Sequence, residues 1–430
     1  MRSSQRTGQK GAATLITSLV LLFATTIVIF YLNRGLIVEQ KTSANQSRAT
    51  TAFEAAEAGL EWATGMLNRP YDIQTDCTFN TSTNVSFRRK YVQTRWNAST
   101  NPTPNAVPAT NVFPGCFMDT ANGGALTCSC PAVPGSGTTA ASLSPASAMP
   151  GFTISFAAVA ADPLSVQVTS IGCSGATGAC TSATAGGSDA TATVTAVLKF
   201  RQLLRAAPAA ALTCGTSCGI SGSFNVVNYD SATNGITVNS GTAATGTSGA
   251  IGTIPGIPPQ NSVVANDTSL STLAAADPTC TSDKMFGAYF GSTVAEFAAS
   301  PTTKTVADKA AFLAAIADGW RSFYFPSAST GADLRGTAFT AGSSIDPVTI
   351  VTTGPFKVNS TSDIYGLIFS NDATAGDIGT GSSTIHGALV ACNSFTSNGN
   401  GVVVYDGQAL TNLQLNTATM VRVPGSWRDF

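Results

Sequence analysis

The fold of this chain is constrained most by residues 10–67, which begin KGAATLITSLVLLFATTIVIFYLNRG. The leader up to Lys10 contains Arg2 and Arg6 but no acid, and residues 12–32 then carry no charge. A run of this length can cross the roughly 30 Å hydrocarbon core of a bilayer as a helix. Because basic residues stay on the cytoplasmic side, the leader predicts a cytoplasmic N-terminus, with everything after residue 32 outside the inner membrane.

An ordinary secretory signal is the alternative interpretation of this apolar run. Such a signal has a shorter apolar core, followed by a cleavage site of small residues. Here the run continues directly into helical sequence, so we favour a retained anchor. Small and apolar side chains recur at three- and four-residue spacing, which is typical of one helix face. They are Ala49, Ala52, Phe53, Ala56, Gly59, Leu60 and Ala63.

This helix is predicted to end before Pro70, because proline cannot donate the next backbone hydrogen bond. A helix over residues 12–67 would be about 84 Å long at 1.5 Å per residue, too long to be buried in one domain. We therefore expect its first half in lipid or among like helices and its second half on a globular head. Glu54, Glu57 and Glu61 share another face, where like charges predict a solvated surface.

Several stretches of this region match a known pattern: Lys10-Gly11-Ala12-Ala13, the apolar run, Ser43-Ala44-Asn45, and AFEAAEAGL at 52–60. In these residues the chain resembles the N-terminal region of PilX-type minor pilins of type IV pili. The last nine residues, RVPGSWRDF, are also similar to the end of such proteins. The resemblance implies that a prepilin peptidase cleaves after Gly11, that the new amine on Ala12 is methylated, and that the helix enters a filament core.

One position departs from the pilin pattern. Most pilins carry a glutamate at the fifth position of the mature chain, where this chain has Ile16. A carboxylate in an apolar bundle requires a partner, which in pilins is taken to be the N-terminal amine of the subunit above. A subunit at the tip has nothing above it, so Ile16 favours a tip position. The alternative is that Ile16 is simply a better membrane residue in a protein that rarely enters fibres.

Composition limits the possible folds and functions of the 360 or so residues that follow the helix. Only 10% of residues are charged and the net charge is −1, so the chain shows no electrostatic footprint for nucleic acid. The 41 glycines, together with Ala, Ser and Thr tracts, indicate a β-rich extracytoplasmic protein with many turns. We predict an α+β chain in four parts: a leader (1–11), a transmembrane and filament-core helix (12–68), a pilin-like head (69–205) and a β-rich domain (206–430).

The ten cysteines are an even number, which predicts disulfides in an oxidising compartment. Cys173 and Cys180 flank a short loop between two strand-like runs, and they are the best single predicted pair. Cys214 and Cys218 can bridge if the backbone turns between them, and the other six cannot be paired from the sequence. Structural zinc sites favour CxxC pairs and histidines, whereas this chain offers CxC, CxxxC and one histidine, so we predict no metal.

The head is predicted to be an antiparallel meander. Residues 152–156, 164–171 and 190–200 alternate as strands do, and a polar, loop-rich stretch separates them from the helix. A linker at 201–208 would lead into the last domain.

The last domain contains a short internal repeat. IYGLIFS at 364–370 recurs as IHGALVA at 385–391, 21 residues later, and strand-like runs precede and follow it. Strands one turn apart with matching glycines predict stacked parallel rungs of a β-solenoid, with earlier rungs at 220–227 and 235–239. A packed β-sandwich is the alternative. Thr305 with Asp308 predicts the start of a helix.

Catalytic patterns are scarce, so we predict that the chain is not an enzyme and has no cofactor. His386 is the single histidine, and it occupies the repeat position of Tyr365, where a structural role is favoured. Asp363, Asp372 and Asp377 are predicted to lie in turns, where aspartate bonds locally. GxSxG, P-loop and HExxH motifs do not occur in the sequence.

These observations predict a minor pilin that takes part in priming type IV pilus assembly and sits at the fibre tip. Its partners would be other minor pilins, the major pilin, the prepilin peptidase and the inner-membrane assembly platform, with a tip adhesin as a further candidate. The chain would span the inner membrane once, with its bulk periplasmic, and then reach the cell surface in the pilus. The alternatives are a minor pseudopilin of type II secretion and a membrane-anchored β-domain adhesin. Motility, adhesion and DNA uptake are not distinguished.

Overall fold

The computed structural model describes residues 10–79, 86–97, 101–119, 123–145, 148–180, 190–247, 250–372, 374–375, 377–378, 381–397 and 399–429. Most of the leader lies outside these residues. The predicted α+β class is confirmed, since a long helix is followed by an antiparallel head and a large parallel β domain.

Helices of the described residues are one very long element and several short ones. They are α1 (Lys10–Leu67), α2 (Phe87–Tyr91), α3 (Thr268–Ala275), α4 (Lys284–Phe290), α5 (Val294–Ala299), α6 (Lys309–Ala317) and α7 (Gly407–Asn416). The 58-residue helix α1 ends in a turn at Asn68, before Pro70, as predicted. The side chains described between residues 13 and 50 are exposed, and burial of one face begins at residue 51.

The head contains the strands that precede residue 202. They are β1 (Val92–Asn97), β2 (Asn101–Pro108), β3 (Val112–Phe113), β4 (Gly115–Asp119), β5 (Ala125–Ser129), β6 (Thr139–Ala140), β7 (Met149–Ala158), β8 (Ser165–Ala176) and β9 (Thr191–Arg201). Strands β7, β8 and β9 form the predicted antiparallel meander. The prediction of a loop-rich stretch before them is wrong in part, because β4 extends the sheet on β7 and pairs with β5. Neither GCFMD of β4 nor ALTCS of β5 alternates between apolar and polar residues, so periodicity does not mark these segments as strands.

Helix α1 lies directly on the meander because both surfaces are built from small residues. A Cβ added at Gly59 of the helix would lie 2.3 Å from Ser170 Oγ, and one added at Gly172 of the sheet would lie 2.1 Å from the Ala52 carbonyl oxygen. Ala56 is fully buried between them. The small-residue stripe read from the sequence is therefore the face that docks on the head.

The last domain contains the remaining strands. They are β10 (Leu212–Cys214), β11 (Cys218–Ile220), β12 (Asn225–Asn228), β13 (Val238–Ser240), β14 (Ala244–Thr245), β15 (Ile251–Thr253), β16 (Val263–Val264), β17 (Thr303–Thr305), β18 (Ser322–Phe325), β19 (Ala332–Asp333), β20 (Thr340–Ala341), β21 (Val348–Thr352), β22 (Phe356–Val358), β23 (Asp363–Ser370), β24 (Thr374–Ala375), β25 (Asp377–Ile378), β26 (Thr384–Ala391), β27 (Ser394–Ser397) and β28 (Val402–Val404); β29 (Thr419–Arg422) follows α7 and returns to the head.

Strands β10 to β28 pair in parallel, so the solenoid is the correct interpretation and the sandwich is not. The main sheet has the order β17, β18, β21, β23, β26, β28, β12, β15. The chain thus enters the stack in its middle, at β10, and adds rungs toward one end, at β15 and β16. Helices α3, α4 and α5 then connect this end to β17, at the opposite end of the stack. From β17 the chain adds rungs until it reaches the middle again.

The main sheet is buried on both faces along β21 and the second halves of β23 and β26, which explains the apolar runs in these strands. Ile350, Ile368 and Leu389 occupy one register position of three neighbouring rungs and point into the solenoid core. The adjacent Phe369 points the other way, into a cluster with Phe286 of α4. Helix α6 is capped by Asp308 and not by Thr305, since the Asp308 carboxylate accepts the Ala311 N–H at 2.8 Å.

The 21-residue repeat places Gly366 and Gly387 side by side, as the matching glycines predicted. Both have φ near +140°, and a Cβ added at either position would lie 1.9 Å from a carbonyl oxygen of the rung below, in Val348 or Gly366. Only glycine combines this backbone conformation with such a close approach.

Replacing Gly387 by alanine is expected to destabilise the solenoid by about 2–4 kcal/mol, because left-handed strain adds to overpacking. Gly287 of α4 is the matched control, since its added Cβ meets nothing closer than 3.7 Å and alanine favours helix. Urea unfolding of both purified variants in detergent measures the difference. Equal free energies of unfolding for the two variants would contradict this explanation of the repeat.

Candidate assembly site on the long helix

The first half of α1 is apolar and lies outside the protein core. Residues Ala13–Leu32 have a mean hydropathy of 2.5 and none of them is buried, and no other helix of the described residues is both long and apolar enough to span a membrane. Phe30 and Tyr31 are each 77% exposed. Leaving this much apolar surface in water is unfavourable, so the segment requires lipid or other helices around it.

The predicted processing site lies where α1 begins. The described backbone is helical from Lys10, so Gly11 and Ala12 are in the first turn of the described helix. Ile16 follows one turn later and is 62% exposed. Its side chain therefore belongs to the surface that lipid or neighbouring helices would cover.

The second half of α1 is held by the C-terminal segment (residues 418–429) as well as by the meander. Strand β29 adds to the edge of the head sheet beside β9, so the sheet order is β29, β9, β8, β7, β4, β5. The Asn68 side chain accepts the Met420 N–H at 2.7 Å and donates to the Met420 carbonyl at 2.9 Å. Ala418 and Met420 are buried in the head core.

Two of the helix glutamates also contact this segment. Trp427 donates its indole N–H to Glu57 Oε1 at 2.9 Å, and its ring packs edge-on against Phe53. Glu61 pairs with Arg422 at 3.3 Å. Glu54 and Glu61 are exposed, as predicted for a solvated face. The prediction did not include the partners of Glu57 and Glu61, because these lie more than 350 residues away in the sequence. The C-terminal residues form the docked tail that their proline-glycine turn and aromatic pair indicated.

A partly buried charge cluster joins the head to the solenoid. Arg89 from α2 and Arg321 before β18 both contact Asp346 Oδ2, at 3.0 and 2.7 Å. Arg321 also donates to the Trp320 carbonyl, and the Trp320 ring packs edge-on against Tyr71. A small cavity of about 30 Å³ lies here. It has room for a water molecule or two and is far below the size of a small-molecule site.

Burial dominates the electrostatics of this junction. It raises the pKa of the Asp72 carboxyl, and the Arg89 and Arg321 guanidinium groups act in the opposite direction. Burial lowers the pKa of Arg88 to about 10, and its guanidinium donates to the Ala418 carbonyl. Arg88 thus remains a cation at neutral pH and holds Ala418 against the head.

The ten cysteines form five disulfides: Cys77–Cys130, Cys116–Cys128, Cys173–Cys180, Cys214–Cys218 and Cys280–Cys392. Cys173 and Cys180 are thus bonded to each other in the structure, as are Cys214 and Cys218. The other three bridges close loops of 12, 53 and 112 residues, and their pairing depends on folding that sequence spacing does not reveal. The last of them fastens the segment before α4 to the solenoid.

The candidate catalytic residues are parts of the rungs. The His386 ring stacks on Tyr365 at a centroid distance of 4.2 Å, as the repeat predicted, and its Nε2 lies 3.5 Å from Asp363. Asp363 and Asp377 begin strands, so the prediction that they lie in turns is wrong for both. Asp372 lies in a bend. Among the described residues there is no cluster of three or more acidic, histidine or cysteine side chains that could hold a metal.

Comparison with known proteins identifies the N-terminal segment. Residues 10–61 match the family model described as PilX N-terminal, which confirms the predicted resemblance to PilX-type minor pilins. No curated protein matches the chain. Among solved structures, the competence-associated pilin ComZ from Thermus thermophilus is similar at 11% identity, over 89% of this chain and 98% of that chain, with a TM-score of 0.22. A TM-score this low carries no structural inference.

Replacing Asp346 by alanine is expected to destabilise the chain by about 2 kcal/mol, because the largely buried Arg321 side chain would lose its carboxylate partner. Arg89 contributes less to this loss, since its side chain is 37% exposed. Asp333 is the matched control, since its pair with Arg335 is more exposed and contributes about 1 kcal/mol or less. Urea unfolding in detergent measures both losses. A loss at Asp346 no greater than the loss at Asp333 would show that the cluster does not hold the junction.

Proposed function

We propose that this chain, which has the N-terminal segment of a PilX-type minor pilin, takes part in priming type IV pilus assembly and stays at the fibre tip. The observation that carries the proposal is the single unbroken helix α1. Its first half is uncovered and apolar, and its second half is fixed to a folded head. A membrane can cover the first half before assembly, and the helices of other pilin subunits can cover it afterwards.

Maturation follows from the same segment. A prepilin peptidase would remove residues 1–11, and methylation of the amine on Ala12 would complete the mature end. The assembly platform would then extract the helix, with energy from a cytoplasmic ATPase. Other minor pilins and the major pilin would supply the helices that replace lipid around residues 13–32.

Two observations support the tip position. Ile16 stands where a shaft subunit has its glutamate, so the first turns of α1 carry no carboxylate that needs the amine of a subunit above. The solenoid contacts the head around Tyr71 and Arg89, at the end of α1 opposite the membrane-length segment. It would therefore extend from the end of the fibre, where a following subunit does not have to accommodate it.

Placing a peptide epitope between Pro255 and Gly256, which are exposed in the turn after β15, tests this position. Gold-labelled antibody on sheared pili is expected to mark one end of a fibre and to leave the shaft unmarked. The same epitope inserted at Ser136, in an exposed loop of the head, is the matched control and should give the same pattern. Label spaced along shafts, or confined to cell bodies with fibres intact, would overturn the tip assignment.

Exchanging Ile16 for glutamate tests the reason for the tip position. In a subunit with nothing above it, the new carboxylate has no partner, so its burial among apolar helices is unfavourable. A penalty of about 1.4 kcal/mol already shifts the assembly equilibrium tenfold. We expect about tenfold fewer pili per cell, with label still at fibre ends. Ile16→Gln is the control, because the glutamine side chain has the shape of glutamate without its charge. Unchanged pilus numbers, or label that spreads into shafts, would contradict the account.

A further inference from the structure

The solenoid is an insertion in the head sheet, connected to it by two neighbouring strands. Strand β9 leaves the head at Arg201, and β29 enters it at Thr419. These two residues face each other in the antiparallel ladder. Both covalent connections therefore cross between the two domains side by side, and a force applied to the solenoid reaches both strands at the same time.

Beyond β29, the C-terminal segment runs along α1 in the direction opposite to the helix. Met420 contacts Asn68, Arg422 contacts Glu61, and Trp427 contacts Glu57 and Phe53, as described above. The contacts thus step from the end of α1 back toward its membrane-length half. The tail is also fixed to β9, since Ser426 Oγ accepts the Val197 N–H at 3.0 Å.

We propose that the C-terminal segment is a load-bearing tie between the solenoid and α1. Pulling the solenoid away from the anchored helix moves the segment and the helix in opposite directions along a common line. The cross-contacts are then loaded in shear, and several of them must fail together. Peeling from one end would break them singly, at lower force. The tie passes tension directly to the helix, alongside the path through the head sheet.

This role rests on the proposed function, because the chain is under tension in the cell only if α1 is anchored there. The mechanical property itself belongs to the folded chain and can be measured on purified protein. The interdomain charge cluster supports the same role, because the Arg89–Asp346 pair holds the loop before β21 against the head while the tie carries load. The disulfide Cys280–Cys392 prevents the long segment between these residues from being drawn out of the solenoid.

Constant-force measurements on the full chain in detergent, with a peptide handle at the N-terminus, test the tie. The second handle is inserted either between Pro255 and Gly256 of the solenoid or at Ser136 of the head. Inserted peptides are preferable to new cysteines, because the ten native ones are engaged in disulfides. The exposed half of α1 extends first at low force, and the lifetime of the folded head is then recorded.

Asn68→Ala and Trp427→Ala are expected to shorten this lifetime about tenfold when load enters through the solenoid, since each removes one or two hydrogen bonds of the tie. When load enters through the handle at Ser136 of the head, it bypasses the tie. The lifetimes of both variants should then stay within about a factor of two of the lifetime of the parent chain. Asn359→Ala, which removes an exposed hydrogen bond within the solenoid, is the control for both geometries.

The direction dependence separates a tie from a merely stabilising contact. Equal shortening through both handles would mean that Asn68 and Trp427 only stabilise the head, and it would overturn the proposal. Unchanged lifetimes through the solenoid would overturn it as well. Either result leaves the epitope location on pili unaffected, so failure of the tie and failure of the proposed function are distinguishable.

Discussion

The close contact between α1 and the antiparallel meander is the interaction on which the rest of the molecule depends. Gly172 allows the sheet backbone to approach the helix backbone, and Gly59 leaves room for the Ser170 and Phe152 side chains, so a larger side chain at either position would separate the helix from the sheet. Because this contact begins at residue 51, the side chains described before it remain uncovered. One helix can therefore be fixed to a folded head at one end and immersed in lipid or a helical bundle at the other.

The insertion of the solenoid follows from how the head sheet is completed. Its edge strand β29 comes from the end of the chain, so more than 200 residues are built between two neighbouring strands. This arrangement gives the solenoid two connections to the head, and the Arg89–Asp346–Arg321 cluster adds a third contact that is not covalent. The antiparallel head and the parallel solenoid are thus coupled both by covalent connections and by this ion cluster.

The sequence predicts this architecture where local patterns are strong. The apolar run, the small-residue stripe and the proline stop define α1, and the repeated glycines at 366 and 387 define parallel rungs, because each pattern depends on neighbours in one element. The sequence does not predict that β10 enters the middle of the stack, that Asp346 joins the two domains, or that Glu57 and Glu61 bind the C-terminal segment. These features join residues that are far apart in the chain, and neither periodicity nor spacing carries information about such pairs.

The central claim is that α1 is a processed pilin helix, and the mass of the mature N-terminal peptide tests it most directly. Peptides from membranes of cells with and without the prepilin peptidase would be compared by mass spectrometry. The account predicts a chain that starts at N-methylated Ala12 only when the peptidase is present. A leader retained in both strains, or cleavage after residue 32, would contradict it and would indicate an anchored or secreted β-domain protein.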